Sequence, residues 1–308
     1  MNKSDIIYRK QIKNRDFQAE TRYKNTKKGG IFLKSKISYN DIWKERMLAL
    51  FEEDESNGNR VKWESVKHAR DYWERTKKDK SRAFDQLELI NLKPGDRVLD
   101  IGSGPGTIAI PAAKIAEEVV AVEPSKGMCT VLKERAAEEG LSNVTVIRKK
   151  WEDVSQDDLG NGKFDIVIAS YSLSIPDLKP EIIRMNSVCK GRVFLFWFAG
   201  DFTWDDYEME EFWTTIKSKD FYPGPKADLL YGVLSEARIY PEVRTFPLQI
   251  KDVYDSPKTA CERICQRHSV TDKNDQKKVL EFLKRKYSSI TEVSGYSNRV
   301  CMWWDIQK

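Results

Sequence analysis

The sequence contains no apolar run long enough to cross a membrane, and it has few cysteines for its length. Its longest apolar run, VFLFWFAG at 193–200, falls far short of the ~18 residues that a membrane-spanning helix needs. The first ten residues, MNKSDIIYRK, include no apolar segment of the signal-peptide kind. Five cysteines in a chain of 308 residues without such a segment are typical of reduced thiols. We therefore expect a cytoplasmic protein that has no membrane partner.

Histidine is equally scarce, which leaves few candidate metal ligands. His68 and His268 are the only two histidines, and we expect both to be structural. Cys261, Cys265 and His268 lie at positions i, i+4 and i+7 of a predicted helix, and hence on one helical face. Three such ligands are compatible with zinc, but structural zinc sites usually have four protein ligands, and no Cys-x-x-Cys pair is present here. Cysteines on a buried helix face are common, so we predict no metal site.

Positive charge is concentrated near the N-terminus. Residues 1–36 contain 11 Lys and Arg against 3 Asp and Glu, whereas the net charge of the whole chain is +5. Such an arm either solubilises the chain or binds an anionic partner such as RNA. Tyr8, Phe17 and Tyr23 are interleaved in it as candidate stacking groups, but no recognised RNA-binding motif accompanies them. Both interpretations stay open.

A glycine-rich loop in the segment VLDIGSGPGTIAIPAAK, at 98–114, is the strongest signal for a binding site. The preceding DRVLDI is typical of a buried strand and the following TIAIPAAKIA of a helix. The N-terminal amides of such a helix suit an anionic or electron-rich ligand group. Gly104 to Ala109 also fit the dinucleotide fingerprint G-x-G-x-x-G/A. However, Asp100 at the strand tip would repel a pyrophosphate, whereas it suits the ammonium of an amino acid such as that of S-adenosylmethionine.

A second apolar strand, predicted at 119–122, ends in Glu123, which lies 21 residues after Gly102. An acidic residue at this point of a strand-helix-strand unit accepts hydrogen bonds from both ribose hydroxyls of a bound nucleoside. NAD and S-adenosylmethionine share this ribose, so Glu123 alone leaves both cofactors open. A strand-end carboxylate without a ligand is the remaining alternative.

The segments VLDIGSGPGTIAIPAAK and VVAVEPSKGM resemble the first two motifs of class I S-adenosylmethionine-dependent methyltransferases, especially the ubiquinone/menaquinone-methyltransferase-like group. FDIVIASYSLSIPD resembles the fourth-strand motif of that family and GRVFLFWFAG its fifth strand, so the resemblance covers roughly 85–200. It implies an α/β, Rossmann-like fold with a seven-stranded, mostly parallel sheet and helices on both faces. We expect NRVCMWWDI to be the closing strand, with a helical insertion before it and a helical extension before the first strand.

The resemblance implies S-adenosylmethionine as the cofactor and assigns residues to its parts. The residues implied for the methionine end and the ribose are Asp100, Gly102, Ser103, Gly104, Gly106, Glu123 and Pro124. Met128 would border the adenine, and Ser170 with Tyr171 would form the floor beneath the sulfonium.

The adenine end departs from the family pattern. After the third predicted strand, Lys150 stands where relatives often have an aspartate that accepts from the adenine amino group. That role would pass to Glu152 or Asp153. Trp151 would cover the adenine ring, although packing in the core is the alternative for a tryptophan.

Two predicted helices, YNDIWKERMLALFEED and WESVKHARDYWERTKKDKSRAFDQL, precede the glycine loop. Apolar residues recur at helical spacing in both, so each helix must pack against the rest of the chain. In relatives such helices close over the cofactor. The resulting candidates for lining the acceptor pocket are Trp63, Arg70, Tyr72 and Trp73, with core packing as the alternative for the aromatic ones.

These signals predict five regions along the chain. They are a basic arm at 1–36, covering helices at 37–84, a cofactor-binding core at 85–255, a helical cap at 256–291 and a closing strand at 292–308. The cap is expected to contain two helices near the carboxyl ends of the central strands, where they would form a lid.

The predicted function is that of a transferase that moves a methyl group by in-line displacement. Holding donor and acceptor in near-attack geometry contributes up to ~7–11 kcal/mol, so a dedicated base is optional and no catalytic residue is identified. The loop SYSLSIP contains neither Asn/Asp-Pro-Pro-Tyr/Phe nor a Pro-Cys pair, which disfavours methylation of DNA bases. We predict a small-molecule acceptor. A protein side chain, an RNA acceptor, or a non-catalytic subunit of the same fold are the alternatives.

Overall fold

The structure is a computed structural model that describes seven ranges of the chain. These are residues 38–56, 64–77, 86–202, 224–254, 256–267, 270–286 and 292–306. The predicted basic arm, Trp63 and His268 lie outside the described residues, as does the segment 203–223.

In the part of the chain that the structure describes, seven strands form one mixed sheet, as predicted for a Rossmann-like α/β fold. They are β1 (Arg97–Ile101), β2 (Glu118–Val122), β3 (Val144–Ile147), β4 (Phe164–Ser170), β5 (Cys189–Phe202), β6 (Glu242–Val253) and β7 (Glu292–Asp305). Their order across the sheet is β3-β2-β1-β4-β5-β7-β6. Neighbours from β3 to β5 are parallel, whereas β7 runs antiparallel to both β5 and β6.

The central strands are covered on both faces, which is why their sequences are apolar runs rather than alternating patterns. In β1 and in β2, every residue after the first is buried. The register pairs Asp100 of β1 with Ala121 of β2 and with Ile168 of β4. The carboxyl ends of these three strands therefore meet at one edge of the sheet, at the point where the strand order reverses and where ligands bind in open α/β sheets.

Nine α-helices lie within the described ranges. They are α1 (Tyr39–Ser56), α2 (Val66–Thr76), α3 (Ala109–Ala113), α4 (Lys126–Glu138), α5 (Gln156–Leu159), α6 (Leu178–Val188), α7 (Ala227–Glu236), α8 (Pro257–Arg267) and α9 (Lys273–Lys286). A helical segment at 86–90 and a 3-10 turn at Trp151–Asp153 accompany them. The helices before β1 and the pair between β6 and β7 confirm the predicted extension and insertion. None of the described helices is long and apolar enough to cross a membrane.

Side-chain caps fix where two helices begin. At α4, the Ser125 hydroxyl accepts the N–H of Met128 at 3.1 Å. At α5, Ser155 and Asp158 form a reciprocal capping box. Because Ser125 follows the end of β2 closely, its cap also fixes the turn that carries Glu123.

The sheet separates two apolar cores, because successive side chains of a strand face opposite sides. Leu99 and Val120 belong to one core, together with residues of α1, α6 and α7. Val98 and Val119 belong to the other, together with residues of α3, α4 and the segment 86–90. Each core thus fixes a different set of helices against the same strands.

Helix α1 is anchored by Trp43. The side chain is fully buried, its indole N–H donates to the backbone carbonyl of Ile175 at 2.8 Å, and its ring lies 5.8 Å from that of Trp197. Met47, one turn further on, is also fully buried. Since Ile175 follows β4 closely, this contact fixes α1 beside the carboxyl end of that strand.

The pair α8 and α9 encloses a small apolar cluster of its own, which includes Cys261, Cys265 and Phe282. The two sulfur atoms lie 3.8 Å apart, and Cys261 Sγ lies 3.4 Å from the carbonyl oxygen of Gln276. Burial raises the pKa of the Cys265 thiol to about 12, so the thiol is protonated at neutral pH. Within the described residues no group of three or more His, Cys, Asp and Glu side chains is arranged to hold a metal ion.

Replacing Trp43 by phenylalanine removes the indole donor and leaves the buried carbonyl of Ile175 without that partner. An unsatisfied buried acceptor costs ~1–3 kcal/mol, and the smaller ring leaves a cavity. We expect Trp43→Phe to lower the free energy of unfolding in urea by about 2–4 kcal/mol. Leu48→Ala is the control, since Leu48 lies on the same helix and is 43% exposed. If both substitutions lower the stability equally, Trp43 does not anchor α1.

Candidate functional site

A cavity of about 770 Å³ lies at the carboxyl ends of β1, β2 and β4. Its wall is formed by the segments that follow β1, β2, β3 and β4, with contributions from α1, α2 and the segment 86–90. This is the edge of the sheet at which the strand order reverses.

The glycine loop after β1 has a backbone conformation that requires glycine. Gly102 has φ +69°, and a Cβ added to it would overlap the side chain of Ser172. The N–H groups of Gly102 and Ser103 both donate to the carbonyl of Val122, at 2.7 and 3.1 Å, which ties the loop to the end of β2. Gly104 has φ +56°, and a Cβ there would meet no protein atom within 4 Å. Gly104 therefore borders open space, where a ligand can approach the backbone closely.

Asp100 occupies the tip of β1 and carries a buried carboxyl group. It is 1% exposed, and within the described residues neither carboxyl oxygen has a hydrogen-bond partner. Burial and, secondly, the negative charge of Glu123 raise the pKa of Asp100 from 3.8 to about 7, while the nearby amide of Ala109 opposes the shift weakly. An unpaired buried carboxylate is costly, so a cation or hydrogen-bond donors of a ligand would stabilise its ionised form.

Glu123 at the end of β2 connects this strand to the glycine loop. One carboxylate oxygen accepts the N–H of Gly104 at 2.8 Å, and the other accepts the N–H of Ser125 at 2.9 Å. Burial raises the pKa of Glu123 above its usual value, and these two hydrogen bonds oppose the shift. Each oxygen keeps a second lone pair, which can accept from a ligand hydroxyl.

On the β3 side of the cavity, Met128 and Trp151 contribute apolar wall. Both are buried, and Trp151 begins the 3-10 turn after β3. The guanidinium of Arg184 lies 3.8 Å from the centroid of the Trp151 ring and also donates to the backbone carbonyl of Trp151. Lys150 and Glu152, on either side of Trp151, are exposed. This side of the cavity therefore combines apolar side chains with exposed charged residues next to them.

On the other side of β1, the cavity is bordered by Ser170 and Tyr171 at the end of β4. The hydroxyl of Ser170 donates to Oε1 of Gln86 at 3.3 Å. Tyr171 has φ +55°, and its ring centroid lies 5.4 Å from that of Phe198 and 4.8 Å from the guanidinium carbon of Arg299. A bulky residue in this backbone conformation is strained, and such strain is found preferentially at functional sites.

Twelve of the residues expected to bind the cofactor or acceptor line this cavity. They are Asp100, Gly102, Ser103, Gly104, Glu123, Pro124, Met128, Trp151, Glu152, Ser170, Tyr171 and, from the acceptor candidates, Tyr72. Their roles toward a ligand remain predictions.

Gly106 does not line the cavity, although it belongs to the glycine loop. Its φ is +81°, and an added Cβ would lie 2.8 Å from Cγ1 of Ile110 and 3.1 Å from Cγ of Leu132. The glycine is therefore required for packing of the loop against α3 and α4. Trp63, another candidate, lies outside the described residues.

Arg70 and Trp73 also lie away from the cavity, because both side chains attach α2 to α4. Arg70 forms an ion pair with Glu134, with 2.7 Å between Nη2 and Oε1. The ring of Trp73 covers the guanidinium of Arg135 at 3.4 Å, and Arg135 donates to the carbonyl of Pro105 in the glycine loop. These residues support the cavity from outside rather than lining it.

Sequence reasoning missed several residues of the wall. They include Phe51, Glu64, Thr76, Gln86, Ser125, Ser172, Ser174, Ile175 and Pro176. The last four belong to the segment SYSLSIP, and their position directly after β4 could have identified them. Phe51 lies on the apolar side of α1, whereas nothing in the sequence distinguishes Gln86 from other polar helix residues.

Part of the chain matches a known protein family. Residues 98–190 match the model of a family described as a methyltransferase domain. The matched segment runs from β1 to the start of β5 and therefore includes the glycine loop, Glu123 and the end of β4.

Individual relatives are similar to parts of the chain. An uncharacterized protein of Haemophilus influenzae is 32% identical over 163 residues, which are 52% of this chain and 57% of that protein. A 23S rRNA (uracil(1939)-C(5))-methyltransferase of Klebsiella pneumoniae is 37% identical over 101 residues, which are 32% of this chain and 23% of that enzyme. The chain thus spans little more than half of the first relative and about a quarter of the second.

A solved structure shows the same fold. The YcgJ protein from Bacillus subtilis superimposes with a TM-score of 0.53 at 16% identity, covering 73% of this chain and 98% of that one. Residues 98–190 thus match a methyltransferase domain within a chain that shares the fold of the YcgJ protein.

The buried carboxyl group of Asp100 makes the stability of the ligand-free protein depend on pH. The pKa of Asp100 is about 7 in the folded state and 3.8 ordinarily. Between these two pH values, Asp100 is therefore protonated in the folded protein and ionised in the unfolded protein. The stability that the neutral carboxyl contributes is thus complete below about pH 4 and is lost as the pH rises to about 7. At about 1.4 kcal/mol per pKa unit, the loss amounts to about 4 kcal/mol.

Asp100→Asn keeps the shape of the side chain and removes the ionisation. We expect this variant to unfold at higher urea concentration than the wild type at pH 8, and at a similar concentration at pH 4.5. Asp228→Asn is the control, because Asp228 is exposed on α7. An unchanged pH dependence in Asp100→Asn would mean that the carboxyl group is ionised without cost in the folded protein.

Proposed function

We propose that the chain is an S-adenosylmethionine-dependent methyltransferase that transfers the methyl group to a small-molecule acceptor. We also place it near the ubiquinone/menaquinone-methyltransferase-like group, on the motifs described above. The observation that carries the proposal is the buried carboxyl group of Asp100, which lacks a partner among the described residues and lies beside the open backbone of Gly104.

The donors and acceptors of the cavity match the parts of the cofactor. The oxygens of Asp100 can accept from the ammonium of its methionine part, and the buried hydroxyl of Ser103, which has no partner in the described part of the chain, adds a polar atom nearby. The free lone pairs of Glu123 can accept from the ribose hydroxyls. Trp151 and Met128 offer apolar surface to the adenine, as expected for planar ligand groups.

The role of the protein in such a reaction is mainly positioning. When bound, the cofactor supplies an activated methyl group on a sulfonium that leaves as a neutral thioether. Asp100 and the glycine loop would fix the amino-acid end, and Glu123 would fix the ribose. The acceptor would be held beside the methyl group, near the ends of β1 and β4. Such positioning can lower the activation free energy by up to ~7–11 kcal/mol.

The size and cover of the cavity support a small acceptor. Pockets for small molecules have volumes of ~300–1,000 Å³, and the cavity of about 770 Å³ has room for a cofactor together with a compact second ligand. Phe51 of α1 and Tyr72 of α2 line it, as do Ile175 and Pro176 from the loop after β4. These side chains narrow the approach to the position of the methyl group, which favours a compact acceptor.

The name of the Klebsiella relative indicates methylation at C5 of a uracil in rRNA, which requires a nucleophile that adds to the ring first. All five cysteines of the chain are buried and none lines the cavity. Burial also raises the pKa of Cys129, on α4, to about 11. This chemistry is therefore not supported. Other RNA positions, protein side chains and a non-catalytic binding role remain the alternatives.

Glu123→Ala tests the cofactor site. The substitution removes the charged acceptor of the ribose hydroxyls, and hydrogen bonds to charged groups contribute ~1.5–3 kcal/mol. We expect binding of S-adenosylhomocysteine to weaken at least tenfold in calorimetry. Glu139→Ala is the matched control, because Glu139 is exposed at the end of α4 and pairs with Lys114. Gly104→Val should bind even more weakly, since its side chain would occupy the open space. Normal affinity in folded Glu123→Ala would remove Glu123 from the site.

The nature of the acceptor is tested by methyl transfer from labelled S-adenosylmethionine to fractionated native extract. We expect the label in a small-molecule fraction, and we expect removal of residues 1–36 to leave the rate and its modest salt dependence unchanged. An RNA acceptor held by the arm predicts a loss of affinity of ~10³-fold or more between 50 and 200 mM salt, and a flatter dependence after removal of the arm.

Label in RNA or protein would contradict the small-molecule acceptor while keeping the enzyme activity. Absence of S-adenosylhomocysteine formation with every fraction would instead favour a non-catalytic subunit. The Asp100→Asn variant serves as the control for label transfer and for S-adenosylhomocysteine formation that do not depend on the proposed cofactor site.

A further inference from the structure

The side chains that line the cavity differ in charge between the two sides of β1. On one side, the segments near β2 and β3 contribute the charged residues Glu123, Lys150 and Glu152. Glu64 belongs to the same side, because its carboxylate lies 3.8 Å from Arg148, which follows β3. Helix α2 also belongs to this side, because its Tyr72 packs in one apolar cluster with Met128. We call the opposite side, formed by the segment after β4, α1 and the segment 86–90, the uncharged wall. The strand order β3-β2-β1-β4 keeps the two sides apart.

The uncharged wall consists of apolar and neutral polar side chains in the part that the structure describes. Its lining residues are Phe51, Gln86, Ser170, Tyr171, Ser172, Ser174, Ile175 and Pro176. The guanidinium of Arg299 lies 4.8 Å from the ring of Tyr171 but does not itself line the cavity. A charged ligand group buried against this wall would therefore have no opposite charge in direct contact among the described lining residues, and burial of an unpaired charge is strongly unfavourable.

Gln86 carries a buried hydrogen-bond donor in this wall that lacks a partner among the described residues. It is 2% exposed, and its Oε1 accepts from the hydroxyl of Ser170 at 3.3 Å. Its Nε2 is buried and has no hydrogen-bond partner within the described residues. Native proteins rarely leave a buried amide donor unpaired, and Gln86 lines the cavity, so its N–H groups are candidate donors to a ligand oxygen.

We propose that Gln86 recognises the methyl acceptor, and that the acceptor is an uncharged molecule with an oxygen that accepts a hydrogen bond from Nε2. The proposal rests on the methyltransferase function proposed above and adds the substrate class. Ser170 holds the amide, and it ends the strand next to β1, so the recognised oxygen lies beside the strand tip that carries Asp100. The rings of Phe51 and Tyr171 in the same wall favour an acceptor with a flat apolar ring.

A second assignment of Gln86 competes with this one. Its Nε2 could instead donate to the carboxylate of the methionine part of the cofactor. The two assignments differ in which ligand loses affinity when Gln86 is replaced, and binding measurements separate them without the need for turnover.

The experiment uses the full chain saturated with S-adenosylhomocysteine and follows three fluorinated probes by fluorine NMR. The probes are 4-fluorophenol, 4-fluorobenzoate and 4-fluorobenzylammonium, which share a ring and differ in charge. We expect the wild type to bind the phenol more tightly than either charged probe. Gln86→Met removes the donors at similar volume and should weaken phenol binding about tenfold or more, while the affinity for S-adenosylhomocysteine changes less than twofold. Gln156→Met on exposed α5 is the matched control.

Gln86→Glu is a second variant, which tests the proposal even if Gln86→Met does not fold. It keeps an oxygen for the Ser170 hydroxyl, removes the donors and introduces a negative charge. At pH 8 we expect it to bind 4-fluorobenzylammonium better than 4-fluorophenol, which reverses the preference of the wild type.

Four outcomes would overturn the proposal. They are an unchanged phenol affinity in folded Gln86→Met, a wild-type preference for a charged probe, no binding of any probe, and a tenfold loss of S-adenosylhomocysteine affinity in Gln86→Met. The last would assign Gln86 to the cofactor. Failure of the wild type itself to bind S-adenosylhomocysteine would count against the proposed function rather than against the role of Gln86.

Discussion

The carboxyl group of Asp100 is buried at the tip of β1, where parallel pairing with β2 and β4 excludes water, and this burial constrains the surrounding structure. With no hydrogen-bond partner among the described residues, the carboxyl group has a pKa raised to about 7 by burial and by Glu123. The fold therefore keeps an unfavourable group that a cationic ligand can stabilise. A protein selected for stability alone would place an apolar residue at this position, and the unfavourable interaction agrees with the cofactor-binding role proposed for Asp100.

The loop that follows Asp100 is held in place by contacts with the ends of both neighbouring strands, β2 and β4. Gly102 passes so close to Ser172 after β4 that a Cβ does not fit, and its N–H donates to Val122 at the end of β2. Glu123 accepts the N–H of Gly104 from the other side. The loop is thus fixed before any ligand arrives, which reduces the conformational entropy that binding must remove. Arg135, placed under Trp73, extends this support to α2.

The order of the strands explains how one cavity can serve two ligands. Strands β2 and β3 lie on one side of β1 and bring carboxylates and an apolar platform, which suit a nucleoside. Strand β4 lies on the other side and brings neutral groups, and α1 covers that side because Trp43 is attached to the carbonyl of Ile175. The proposed methyl transfer would take place at the boundary, where both ligands meet beside Asp100.

The amino-acid sequence by itself determined the features that depend on neighbouring residues. The glycine spacing after an apolar strand identified the loop, the acidic residue 21 positions after Gly102 identified the end of β2, and helical periodicity identified α1. The sequence could not show that Arg70 and Trp73 face α4, because their partners Glu134 and Arg135 lie about 60 residues away. It also gave no signal for Gln86, whose partner Ser170 lies 84 positions further along the chain. Burial and the pairing of polar groups between distant segments are decided only when the sheet brings those segments together, and these contacts determine which side chains face the cavity.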